Sequence, residues 1–366
     1  MAKQKGRRRV QSPPETGDLL FDLPYGVTAP HLTNPDIGLA AWRNSGKGYT
    51  ITVTLLDAPD HRLLRAGVVL AHRVLDGQGQ WYLAAPDWTP YLPAEQVLPM
   101  SRPELPADLA ALVLPFRRHA PLGPVAALTC RRTNFVAVDG RRQTVARLRD
   151  DRVTVRRNGI VVSRYREVSL RPTRHTMASQ LLWLSETFEA LGATAVPRLP
   201  SLRQRLGAPA TGLTDLPAPQ GWTPKDSLES FVSALLARRM RDLVAADLGV
   251  RTGLDHARED LTEVLKALRV ELRGLAPMLD PAWLAEVEHD VARALPPVDD
   301  RHLAVLEHLV TGSRAPRLGA CSNRGAATGL RRELAASMRI GQTRGGSLSG
   351  DGSGRSWAPL PTSSMS

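Results

Sequence analysis

The nearest approach to a phosphate-cradling loop in this 366-residue chain is Arg43 to Gly48, RNSGKG. It lacks the full glycine spacing, and no hydroxyl residue follows its Lys, so it is not expected to wrap a nucleotide phosphate chain. The nine histidines make no metal-ligand cluster with the two cysteines, Cys130 and Cys321. Nucleophile elbows and paired redox cysteines do not occur. The remaining chemistry is cationic. Lys266, Arg269 and Arg273 lie three and four residues apart, which on a helix sets them along one face, either as a phosphate-binding ridge or as the solvated side of an amphipathic helix.

The formal charge of +12 suggests polyanion binding, but its distribution is uneven. Residues 1–12 contribute +5 and residues 312–366 contribute +6, which leaves the intervening three hundred or so near +1. Non-specific polyanion contact is therefore expected mainly at the ends. The separated cysteines argue against a disulfide scaffold. Neither a secretory signal nor a membrane-crossing apolar run is present, so a cytoplasmic protein without membrane association is expected.

Two hydrophobic periods position these residues. Alternation of period two predicts strands over 49–56, 68–74, 81–84, 125–138, 144–148, 152–156 and 160–170. Asp76-Gly77, Asp139-Gly140 and Asn158-Gly159 between them are hairpin turns, which implies antiparallel pairing. A helix over 177–191 stops at Gly192. Residues 207–222 are a linker by composition, and Thr223, Pro224 and Asp226 predict a helix start near 224. Its stripe Leu228, Val232, Leu235, Arg239, Leu243 is broken once by a charge. The series Leu261, Leu265, Leu268, Leu272, Leu275 marks a second helix, Asp280-Pro281 opens a third, and Leu303, Leu306 and Val310 mark a fourth. A helical bundle is the economical packing. Arg331 to Arg339 could form a local helix, and the Gly/Ser-rich sequence from 341 reads as disordered.

The segments LLDAPDHRLLRAGVVLAHR (55–73), WYLAAP (81–86), PLGPVAALTCRRTNF (121–135), ARLRDDRVTV (146–155) and YREVSL (165–170) resemble the CYTH domain of the triphosphate tunnel metalloenzymes. LKALRVELRGLAPMLDPAW (265–283) is similar to the start of a CHAD domain, a helical module that binds inorganic polyphosphate. The resemblance implies an α+β protein: an antiparallel eight-stranded tunnel-like β-barrel with flanking helices, followed by a small α-helical bundle. The expected organisation is a basic arm over 1–14, the barrel over 15–207, a linker over 208–222, a partial helical domain over 223–311 and a basic Gly/Ser-rich tail over 312–366.

In that family glutamates hold Mg²⁺ or Mn²⁺ in the tunnel while Arg and Lys hold a triphosphate. Here the opening Glu-x-Glu-x-Lys corresponds to Thr16, Asp18 and Leu20, and the late glutamate strand keeps Glu167 but continues as Ser169 and Arg171. The resemblance leaves Asp18 and Glu167 as candidate metal ligands, with Arg147 and Arg171 beside them. Arg73, Arg131 or Arg132, Arg152 and Arg166 are the candidate phosphate ligands of the barrel, since adjacent strand residues face opposite sides. Lys266, Arg269 and Arg273 match the helical module, with Glu259 and Thr262 in place of its His and first Arg. The expectation is a non-catalytic protein that binds inorganic polyphosphate or another triphosphate-containing ligand weakly. The alternative is an Mg²⁺- or Mn²⁺-dependent triphosphatase or, less so, an adenylate cyclase.

Overall fold

The computed structural model describes residues 17–312 apart from 29, 219, 220, 222 and 224–226. The termini, with the proposed helix over 331–339, lie outside the described residues.

Ten strands form one antiparallel sheet: β1 (Leu19–Leu23), β2 (Ala41–Asn44), β3 (Tyr49–Asp57), β4 (Val69–Leu75), β5 (Gln78–Ala84), β6 (Glu95–Pro99), β7 (Gly123–Val138), β8 (Thr144–Arg157), β9 (Ile160–Pro172) and β10 (Thr194–Val196). Their order is β10-β1-β9-β8-β7-β3-β4-β5-β6, with β2 on β7 as well. The α+β antiparallel architecture is the expected one. The count is ten rather than eight because β7, at 16 residues, outruns the nine of β3, and β2 pairs its far end while β10 adds to β1. The hydrogen-bonded path runs from β6 to β10 and is not closed.

The helices are α1 (Arg62–Arg65), α2 (Ala107–Arg117), α3 (Ala178–Ala190), α4 (Leu202–Leu206), α5 (Leu228–Thr252), α6 (Ala257–Leu275), α7 (Pro281–Arg293) and α8 (His302–Gly312). The β8–β9 hairpin turns at Asn158 and Gly159, with φ of 49° and 79°, the positive values a type I′ turn requires. Helix α5 starts later than its sequence suggests. Ser227, whose side chain accepts from the Ser230 N–H at 3.1 Å, is the cap rather than Thr223.

The predicted strands over 144–148 and 152–156 are one strand, β8. The intervening Asp150 and Asp151 are 5% exposed, and each is held by two hydrogen bonds from an arginine on a neighbouring strand, Arg166 and Arg132 respectively. Paired in this way, the two charges are tolerated inside a sheet.

The sheet has two differently covered faces. On one, Phe21, Leu148, Val168 and Leu170 pack under Leu184 and Phe188 of α3. On the other, Ile51, Val53, Leu128 and Val155 pack with Leu202 and Leu206 of α4 and with Ala210. A third cluster joins Leu70, Trp81 and Phe116 to Phe231 of α5, Leu265 of α6, Val291 of α7, Leu306 of α8 and Leu216 of the segment before α5. Buried Arg118 at the end of α2 reinforces it through Asp215 at 2.8 Å and Glu307 at 2.5 Å. The charge that interrupts the α5 stripe turns inward: Arg239 pairs with buried Glu271 of α6 and with Asp242.

Candidate functional site

Strand register assembles the site on the α4 face. Asp22 of β1 stands opposite Glu167 of β9, Glu167 opposite Asp151 of β8, Asp151 opposite Arg132 of β7, and Arg132 opposite Tyr49 of β3. Cross-strand partners share a face, so three carboxylates lie on one rung. Helix α4 is fixed over that rung by the Ser201–Gln204 capping box and by Leu202 and Leu206, which are buried in the face. From it Arg205 reaches down. Its Nη2 lies 2.9 Å from Asp22 Oδ2 and its Nε 3.1 Å from Glu167 Oε1, with the guanidinium 4.4 Å from the centre of the Tyr165 ring.

The electrostatics follow from this crowding. Burial raises the Glu167 carboxyl above its usual range; Arg205 opposes the rise, and Asp151 and Asp22 reinforce it. Burial works against the charge on Arg132, but its paired bonds to Asp151 more than offset this and hold its pKa above the ordinary value. Arg149, 3.3 Å from Asp151, is lowered by burial, with Asp151 opposing and Arg132 adding to the shift.

This donor set does not fit the divalent cation of the resembled family. Both Asp151 oxygens accept from Arg132 at 2.7 Å, and Arg205 takes one oxygen each of Asp22 and Glu167. An Mg²⁺ ion asks for near-octahedral oxygen coordination without competing cations, and a guanidinium already sits between the two carboxylates best placed to supply it.

The other sequence candidates are distributed. Asp18 is not beside Glu167: it pairs with exposed Arg171 at 2.8 Å, four residues along β9 from Glu167, a separation of roughly 13 Å. Of the adjacent arginines, Arg132 faces α4 and Arg131 faces the α3 side. Arg73 shares the α4 face, where its Nε donates to Gln80 at 3.0 Å and its guanidinium lies 4.6 Å from the centre of the Tyr82 ring.

Arg131, Arg152 and Arg166 stand side by side on β7, β8 and β9, on the α3 side. Arg166 is fully buried on Asp150, and both Arg166 and Arg152 donate to the Val27 carbonyl. Beside them a recess of about 200 Å³ is lined by Arg131, Thr133, Phe135, Asp150 and Arg152. On α6, exposed Lys266 and Arg273 each have an acid of their own, Glu263 at 2.9 Å and Glu288 at 3.0 Å, and Arg269 is half-buried between them in sequence.

Sequence reasoning missed Asp22, Asp151 and Arg205. Asp22 continues the same-face period of Asp18 and Leu20, so extending that series by one step finds it. Arg205 reaches Asp22 across 183 positions, and no local pattern signals it.

Together these elements define an α+β protein whose antiparallel sheet carries, on one face, a partly buried network of arginines and carboxylates. No protein-family model matches the sequence, and no curated protein does. Among solved structures, the chain is similar to a candidate adenylate cyclase from Bacillus halodurans at 13% identity and a TM-score of 0.26, over 47% of this chain and 98% of that one. It is also similar to a protein from Pyrococcus horikoshii, at 12% identity and a TM-score of 0.25, over 50% and 92% of the two chains. A third is a candidate adenylyl cyclase from Hippeastrum with a dominant triphosphatase activity, at 13% identity and a TM-score of 0.26, over 50% and 91%. No helix among the described residues is long and apolar enough to cross a membrane.

Proposed function

We propose that this chain is a non-catalytic relative of the CYTH proteins that binds a phosphorylated ligand without cleaving it. The observation that carries the reading is Arg205 bonded to both Asp22 and Glu167. Phosphoanhydride cleavage needs a cation to neutralise the charge developing on the phosphoryl oxygens. Here the carboxylates that would hold it are neutralised from within.

Binding falls to the cations that are not consumed in this way. Arg131 is exposed, Arg152 makes one backbone bond, and with the Thr133 hydroxyl they line the recess on the α3 side. That set suits a phosphate group, including the end of an inorganic polyphosphate chain. Lys266, Arg269 and Arg273 form a second, weaker basic ridge on α6. In the same reading residues 15–207 and 223–311 are the two structural units, and the basic ends add salt-sensitive contact with polyanions.

A second reading, an Mg²⁺- or Mn²⁺-dependent triphosphatase, is favoured by the placement of Asp22, Glu167 and Asp151 on one rung. It requires Arg205 to leave its carboxylates when substrate enters. Phosphate release from inorganic triphosphate by the full chain, with Mg²⁺ or Mn²⁺, separates the two. The first reading expects the rate of buffer alone, and a substantial rate lost in Glu167→Gln establishes the second.

A further inference from the structure

A different convergence of charges lies in the helical half. Asp247 near the end of α5, Asp300 in the turn before α8 and His302 at the start of α8 each offer one ligand atom, all within 4.8 Å of one another. Asp247 is 1% exposed and His302 3%, while Asp300 is open to solvent.

The imidazole is what points to a ligand. His302 Nδ1 lies 3.2 Å from the carbonyl oxygen of Asp299. A carbonyl can only accept, so Nδ1 carries a hydrogen, and Nε2 is the ring atom that a metal ion would take, through the lone pair it has when it carries no proton. That Nε2 is 2.9 Å from Asp247 Oδ1, yet it is buried and makes no hydrogen bond among the described residues. Two acceptor atoms in contact repel unless a cation lies between them. A proton would give a hydrogen bond along the N···O line, which this geometry does not supply. A metal ion off that line satisfies both atoms, since neighbouring ligands about 2.1 Å from one ion stand about 3 Å apart at an octahedral angle and about 3.4 Å at a tetrahedral one. The backbone carbonyl on the opposite ring nitrogen is the outer-shell partner that metal-binding histidines use.

We propose that Asp247, Asp300 and His302 bind a first-row divalent cation, zinc foremost, which ties the end of α5 to the start of α8. An imidazole with two carboxylates suits zinc, whereas magnesium and calcium favour all-oxygen shells. Arg251 is the competitor within the protein: its Nε lies 3.0 Å from Asp247 Oδ2 and its Nη2 2.5 Å from Asp300 Oδ1. Asp247 Oδ1 and His302 Nε2 are left to the ion, and Asp300 exchanges Arg251 for it.

The test is competition between the chelator-stripped full chain and a chromogenic zinc chelator, with the unfolding temperature followed in parallel. The wild type should show a site whose affinity falls at least about ten-fold in His302→Gln and in Asp300→Asn, and rises in Arg251→Gln, which removes the competing cation. Zinc should raise the unfolding temperature of the wild type and not that of His302→Gln. Asp300 is exposed, so its variant keeps the test valid if His302→Gln fails to fold. Equal zinc affinity in the wild type and Asp300→Asn, or no zinc bound by either the wild type or Arg251→Gln, would overturn the proposal.

Discussion

Asp22 and Glu167 face each other across β1 and β9 and share one guanidinium, that of Arg205, which arrives from α4 at 2.9 Å and 3.1 Å. The contact joins the first strand of the sheet to the short helix that covers it, and it places a positive charge between the two carboxylates.

Arg205→Gln should therefore act on stability and on metal binding in opposite directions. It leaves two close carboxylates uncompensated on a partly buried face, at a cost of about 1–3 kcal/mol in chemical denaturation, less than for a fully buried pair because solvent screens part of the interaction. The same variant should gain Mn²⁺ affinity. A stable variant that gains none would show that Arg205 is not what keeps the cation out.

Arg118 ties the end of α2 to α8 and to the segment before α5. At 2% exposure it meets Asp215 and Glu307, so Arg118→Ala removes one partner of each carboxylate, Asp215 keeping Arg65 at 3.8 Å and Glu307 keeping Arg62 at 3.8 Å, and should cost about 1–3 kcal/mol. Equilibrium unfolding in urea measures this, and a loss below 1 kcal/mol would place the anchoring in the apolar cluster alone.

Asp57 predicts a pH dependence. Burial pushes its carboxyl up to about 6, against the pull of the backbone N–H groups of Leu64, Leu63 and Ala58. A carboxyl raised on folding gives stability that is full below its unfolded value of 3.8 and is lost as pH rises through about 6. The wild type should thus lose stability relative to Asp57→Asn between pH 4 and pH 7, by about 1–3 kcal/mol. Parallel unfolding curves at the two pH values check it, and an unchanged difference between the proteins would contradict it.

Cys130 is buried among Ile51, Leu128 and Val153, and burial pushes its thiol well above the ordinary range. In a Cys321→Ser background, native protein at neutral pH should resist thiol reagents and become reactive only on unfolding. Rapid labelling of the folded protein would show that the α4 face opens.

Much of the scaffold was legible. The leucine series of α6, the Asp280 cap of α7 and the Asn158-Gly159 turn are local signals, and each stands where its chemistry requires. β2 and β10 were not legible, because strands of four and three residues carry too little alternation to register. Asp150 and Asp151 concealed the middle of β8, since a pair of acids reads as a break until Arg166 and Arg132 are seen to hold them. Register divides the candidate arginines between two faces, Arg73 and Arg132 toward α4 and Arg131, Arg152 and Arg166 toward α3. A one-residue shift exchanges faces, and only the cross-strand pairing fixes it.

The most direct measurement is the binding of Mn²⁺ by the wild-type full chain and by Glu167→Gln, with inorganic triphosphate absent and then present, followed by electron paramagnetic resonance. Carboxylates already occupied by Arg205 and Arg132 predict the same Mn²⁺ affinity in both proteins under both conditions. Tight Mn²⁺ binding in the wild type that disappears in Glu167→Gln would contradict the account and make the row Asp22, Glu167, Asp151 a metal site.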